Sequence, residues 1–165
     1  MKKSAIISNC SQYRYELHRE WDKDKKKVLF IMLNPSTADS NEDDLTTIRC
    51  MNFAKRWGYG GLMIGNIYPF RAKRPKDLRA WKIFGEKYSI YKTNVAHVQD
   101  MMSQCDLTVC AWGCNHKGIP HMLEYTSGLH YLEICDDGVT PKHPLGNLSN
   151  DLVPLEYKLN TITNG

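Results

Sequence analysis

An asparagine that closes an apolar run and is followed by proline is placed to do chemistry. In Leu33-Asn34-Pro35-Ser36-Thr37 the apolar run 28–33 stops at Asn34, because proline imposes an extended approach and cannot continue a strand ladder. A side-chain amide held there offers one acceptor and two donors, enough to orient a water or read the edge of a base. Ser36 and Thr37 add hydroxyls and backbone N–H groups ahead of a helix, a place for a phosphate or an oxyanion. The same residues also make an ordinary turn and helix cap.

Four further groups have chemical potential. The acidic run Asp39-Ser40-Asn41-Glu42-Asp43-Asp44 could supply a carboxylate that activates water, and Asp39, nearest the Asn-Pro corner, is the member singled out. Asn66 ends a second apolar run and is followed by Arg71, Lys73 and Arg74 in a proline-flanked basic loop that could clamp a phosphate. His143, held before Pro144, could donate a hydrogen bond to a leaving group that gathers negative charge. Tyr59, Tyr68, Phe70 and Trp112 lie near strand ends and could stack on a nucleobase, although aromatics at such positions also serve as core.

These residues need a scaffold. The runs 28–33, 62–67 and 107–112 are continuous and apolar, as suits parallel strands covered on both faces. A helix is predicted from about Leu45, capped by Asp44 or Thr46, with Ile48, Met51, Phe53, Ala54 and Trp57 as its stripe and Gly58 at its end. A short helix starts at Pro75, a longer one runs from Glu86 to Gln104, and another from about Pro120 to Thr126. A fourth strand is predicted over Leu129 to Cys135. Tyr13, Tyr15 and Leu17, alternating with Arg14, Glu16 and His18, read as a half-buried strand. Strands alternating with helices imply a mainly parallel sheet with helices on both faces. Its ligand site would lie outside the carboxyl ends of the strands, where Asn34, Asn66, Trp112 and the His143 loop converge.

Composition bounds the partners. The 165 residues carry a net charge of +4, with 42% hydrophobic and 24% charged residues. This is globular composition and predicts a single α/β domain over residues 1–165. No apolar stretch reaches the roughly 20 residues of a membrane span, and Ser8-Asn9 interrupts the N-terminal apolar residues, so a cytoplasmic protein is expected. The six cysteines form no C-x-x-C pair and read as buried reduced thiols. Cys110, Cys114, His116 and His121 match no standard zinc spacing, so no metal is expected.

The stretches 30–39, Asp43-Asp44, 47–50, 53–62, Asn66 with Arg71-Ala72, 75–78, 111–113 and 142–145 resemble the bacterial and phage domain-of-unknown-function family numbered 1643. More distantly, the motif order is similar to that of the uracil-DNA glycosylase superfamily. Its enzymes use a four-stranded parallel sheet between helices. Its mismatch-specific branch has Asn-Pro where Asn34-Pro35 stand. Its iron–sulfur branch ends the next strand with an Asn and continues with an Arg-containing, Pro-rich loop, as Asn66, Arg71 and Pro75 do. Its last motif begins His-Pro, like His143-Pro144.

That resemblance implies a three-layer α/β/α fold with a central, mainly parallel four-stranded sheet. It implies that Asn34 positions the attacking water, Asn66 reads the base edge, His143 stabilises the departing base, and Ser36 and Arg71 touch phosphate. Ser36 replaces a usual Gly, Leu145 replaces the Ser expected after His-Pro, and the cluster cysteines are absent, so no cofactor is expected. Nucleic acid or a nucleotide is the expected partner. The activity implied is an N-glycosidase, a hydrolase acting on a modified or unusual base in DNA or nucleotides. A non-catalytic nucleotide or nucleic-acid binding module and another nucleotide-directed hydrolase or transferase remain as alternatives, because a fold does not fix a function.

Overall fold

In a computed structural model, which describes residues 1–85 and 87–158, the chain is an α/β protein built on one seven-stranded mixed sheet. Its strands are β1 (Lys2–Ile7), β2 (Arg14–Glu20), β3 (Lys27–Met32), β4 (Gly61–Asn66), β5 (Leu107–Cys110), β6 (Leu129–Tyr131) and β7 (Leu155–Glu156), in the order β1-β2-β4-β3-β5-β6-β7. The four-stranded sheet expected from the sequence is thus too small. Four strands, β4-β3-β5-β6, are parallel and central, while β1, β2 and β7 extend the two edges antiparallel.

The central strands are apolar on both faces because both are covered. Phe30 and Val28 face α1 (Leu45–Arg56), packing with Cys50, Phe53 and Ala54. Leu29, Ile31 and Met63 face α3 (Tyr88–Gln104), packing with Val98 and Met101. Gly65 lets α3 approach, since a Cβ there would lie 2.9 Å from Met101 Cε. A third helix, α2 (Pro75–Phe84), carries its own small cluster of Ala72, Leu78 and Trp81.

Local chemistry sets the boundaries of α1. Asp44 is the N-cap and accepts from the Thr47 backbone N–H at 2.8 Å. Gly58 follows the C-terminus at φ +83°, with Gly58 N–H on the Lys55 carbonyl and Tyr59 N–H on the Ala54 carbonyl. These paired bonds satisfy the last carbonyls of the helix, and the left-handed residue between them favours glycine.

Other expectations are corrected. The helix over 120–126 is only a 3-10 turn, His121–Leu123, and the fourth strand stops at Tyr131 rather than Cys135. Beyond it the chain folds back on itself, with Cys135 N–H on the Thr140 carbonyl and Lys142 N–H on the Glu133 carbonyl. The predicted start of α3 at Glu86, like residues 159–165 of the predicted domain, lies outside the described residues. Not all cysteines are reduced: Cys114 and Cys135 form a disulfide, while Cys50 and Cys110 are buried free thiols. Among the described residues no helix is long and apolar enough to cross a membrane.

The largest departure is in β2. Arg14, Glu16 and Arg19 are its buried charges. Pairing steps from Ile6↔Glu16 to Ile7↔Arg14, leaving Tyr15 as the extra residue of a bulge. The bulge moves Arg14 to the face that carries Leu17 and Arg19. Glu16, on the opposite face, is held between His18 Nε2 and His97 Nδ1.

Candidate functional site

A cavity of about 620 Å³ opens at the carboxyl ends of β3 and β4. Its walls come from the start of α1, from α2, from the loop after β5 and from the His143 loop. Asn34, Asn66 and His143, drawn from three distant stretches, all line it, together with Ser36 and Tyr68.

The strand ladder brings the two amides together. Met32 pairs with Asn66, and the chains stay side by side beyond the sheet through Ile67 N–H on the Met32 carbonyl and Tyr68 N–H on the Leu33 carbonyl. Asn34 Nδ2 donates to the carbonyls of Pro35 at 3.0 Å and Ala72 at 3.2 Å. Both its donors are thereby engaged, so the side chain acts on a ligand or water through Oδ1 as an acceptor. Asn66 is the reverse case: 1% exposed, with neither Oδ1 nor Nδ2 partnered among the described residues. A buried amide without partners costs free energy that a ligand can recover. Its backbone is fixed from behind, because Asn94 Nδ2 donates to the carbonyls of Asn66 and Ile67.

His143 is positioned by its own loop. Its Nδ1 accepts from Leu145 N–H at 3.2 Å, so the neutral ring carries its proton on Nε2. Burial pushes its pKa below the usual imidazole value, against an opposing pull from Asp44. Gly113, at φ +87°, lets this loop come close: a Cβ there would lie 3.1 Å from His143 Cβ. The Cys114–Cys135 disulfide and the Gly113 N–H bond to the Pro141 carbonyl tie the same two segments together.

The cavity lining also includes groups that sequence periodicity did not assign to it. Arg14 is 3% exposed and lines the cavity; one terminal nitrogen donates to the Ala38 carbonyl at 2.6 Å, and Nε has no partner among the described residues. Burial lowers its pKa to about 10, so it stays charged at neutral pH. Asp44 also lines the cavity, and its Oδ1 caps α1. At the mouth, Tyr68 sits edge-on to Trp81 and His116, with Lys82 Nζ 4.7 Å above its ring. Lys73, Arg79 and Lys82 make this mouth basic, while Arg74 is paired with Asp77.

Seven sequence-selected residues lie elsewhere, among them Phe70 and Tyr59, which border two other, more open grooves. Asp39 turns its Oδ1 to the N–H groups of Asn41 and Glu42 and shapes the loop instead of facing the cavity. Those bonds hold its carboxyl below the usual range. Pro35 is buried behind Asn34 and does not line the cavity. Thr37 and Arg71 border a shallower neighbouring groove that shares Ser36 and Lys73 with the cavity. Trp112 is 1% exposed and packs in the core near Tyr157. The sequence signal for Asp44 was its position as a helix cap. Arg14 gave no signal, since strand alternation places it outward. His116 gave none either, since only the fold of its loop brings it to Tyr68.

A family model described as "Protein of unknown function (DUF1643)" matches residues 14–145. The matched span takes in every residue that lines the cavity, from Arg14 to His143. No curated protein and no solved structure matches the chain.

Proposed function

This chain belongs to the DUF1643 family, whose description assigns no activity, and from its cavity we propose an N-glycosidase-like protein that acts on a modified or unusual nucleobase in DNA or in a nucleotide. The observation that carries this reading is the convergence of Asn34, Asn66 and His143 on one cavity in which the Asn66 amide is buried and unpartnered. An amide with one acceptor and two donors complements the amide-like edge of a base. The central parallel strands with α1 and α3 on opposite faces support kinship with the uracil-DNA glycosylase superfamily; β1, β2 and β7 lie outside that common part.

The chemistry follows from the side chains. Asn66 holds the base edge while the C1′–N bond breaks and its electron pair leaves with the base. The Nε2–H of neutral His143 donates to the oxygen on which that negative charge gathers. Water held by Asn34 Oδ1 bonds to C1′ of the cationic sugar. Asp44 accepts the proton that water loses and gives it up, through solvent, to the departing base, which ends neutral and leaves Asp44 ionised again. Among the acidic-run residues, Asp44 rather than Asp39 is the one that lines the cavity. The basic mouth suits the phosphates that flank the sugar. A base within a duplex would have to be flipped out to enter.

The test is release of free base from a panel of damaged and hypermodified oligonucleotides and nucleotides, followed by mass spectrometry. His143→Ala should lower release by about 10²–10³-fold, the usual effect of removing a donor to a developing oxyanion, and Asn34→Ala should also abolish most of it. Absence of release across the panel, or release unchanged in both variants, would overturn the proposal. The basic mouth favours one second reading, a nucleotide or nucleic-acid binding module without chemistry. That reading predicts salt-sensitive binding that survives Asn34→Ala.

A further inference from the structure

Two arginines on one face of β2 meet different fates. Arg19 is 1% exposed and saturated: its Nε pairs with Asp43 at 2.5 Å, and its terminal nitrogens donate to the carbonyls of His18, Asp39 and Glu42. Arg14 is buried almost as deeply, yet its side chain has one backbone acceptor, an unpartnered Nε and, among the described residues, no carboxylate in ion-pair contact. Arg19 is fully explained by the loop it holds. Arg14 faces the cavity and is not.

A guanidinium removed from water without a counter-ion is expensive to keep. Asp44 and, more weakly, Asp39 attract it while Arg71 and Arg19 repel it, but Asp44 Oδ1 is tied to Thr47 N–H and Oγ, and Asp39 Oδ1 to Asn41 and Glu42 N–H. Asn66, which lines the same cavity as Arg14, leaves a donor and an acceptor without a partner among the described residues. These groups together describe a guest that would fit the cavity: an amide-like edge for Asn66 and an anion for Arg14.

We infer that the base taken by this cavity carries an acidic substituent, a carboxylate or a group of comparable acidity, which Arg14 binds beside the edge read by Asn66. This rests on the nucleobase reading above and narrows it from bases in general to acidic ones. Arg14 is then a specificity-determining residue. A neutral base leaves the buried cation unmatched, whereas an acidic base neutralises it through charge-assisted hydrogen bonds.

The experiment is calorimetric titration of the wild-type chain with uracil, thymine, 5-carboxyuracil and 6-carboxyuracil, as free bases and as nucleosides, repeated with Arg14→Lys and Arg14→Gln. At least one carboxylated base should bind about ten- to a hundredfold tighter than uracil, as one charge-assisted pair implies. Arg14→Gln should erase that preference, and Arg14→Lys should keep part of it. The wild-type ranking stands even where a variant does not fold. Uracil or thymine binding as tightly as the carboxylated bases would overturn the inference and leave the nucleobase reading intact. Failure of every base and nucleoside to bind would overturn both. A preference that persists in folded Arg14→Gln would remove Arg14 from the inference.

Discussion

Replacing Asn66 by leucine should make this protein more stable and leave its cavity unable to bind. Leucine repeats the branched shape of asparagine without its polar atoms. In the free protein the Asn66 side chain is 1% exposed and neither polar atom has a partner. Each such atom gives up its hydration on folding at a cost of about 1–3 kcal/mol. Met32 and Ile64, which share the cavity lining with it, are apolar and suit the new methyl groups. Imperfect fit offsets about 1 kcal/mol of the gain, so Asn66→Leu should gain roughly 1–5 kcal/mol, or about 2–20 °C in Tm for a chain of this size. The Asn94 bonds to the Asn66 and Ile67 carbonyls are main-chain contacts and survive the change. The assay is thermal and urea unfolding of both proteins, with and without the tightest-binding base. The variant should melt higher alone and gain nothing from the ligand. A lower Tm would refute the reasoning, because it would mean that the amide already makes good hydrogen bonds and is not held open for a guest.

Three more outcomes are expected. Gly113→Ala should lose about 1–2 kcal/mol, since alanine is strained at φ +87°, and ligand binding should fall further because the His143 loop must move; urea unfolding beside titration separates the two effects. Asp43→Asn should cost about 3–5 kcal/mol by leaving Arg19 buried without its counter-ion. Burial opposes ionisation of Asp43, but the bonds from Lys3 and Arg19 prevail and hold its carboxyl below the ordinary 3.8. Its stabilisation is therefore complete above that pH and is lost as pH falls further through the depressed value, so the variant's acid-unfolding curve should be flatter below about pH 4. Reducing the Cys114–Cys135 disulfide, or Cys114→Ser, should cost about 3 kcal/mol by opening a loop of 21 residues' separation; thiol titration before and after reduction reads the bond, and thermal melting reads the cost.

The central strands were legible because a parallel strand covered on both faces must be apolar at every position. The runs 28–33, 62–67 and 107–112 agree to within one or two residues with β3, β4 and β5. The cap at Asp44 and the stop at Gly58 were legible for local reasons, a carboxylate that reaches its own helix and a backbone angle that favours glycine. The edges were not. β2 buries Arg14, Glu16 and Arg19 with the help of Ala38, His97 and Asp43, 24 to 81 residues away, and alternation along one strand carries no information about such partners. The disulfide and the short β6 likewise depend on how two loops meet.

The candidate site divides along the same line. Asn34, Asn66 and His143 could be picked out from residue type and their places beside apolar runs and proline, because strand ends of a parallel sheet share one rim. Whether an acid faces the cavity was decided by the turn that consumes Asp39 and the helix that aims Asp44. Whether a buried cation lines it was decided by the bulge at Tyr15. Chain-local chemistry, the apolar runs, caps and turns, was written in the order of the residues. The charge inside the cavity arises from packing between segments far apart in the chain, so only the folded structure decided it.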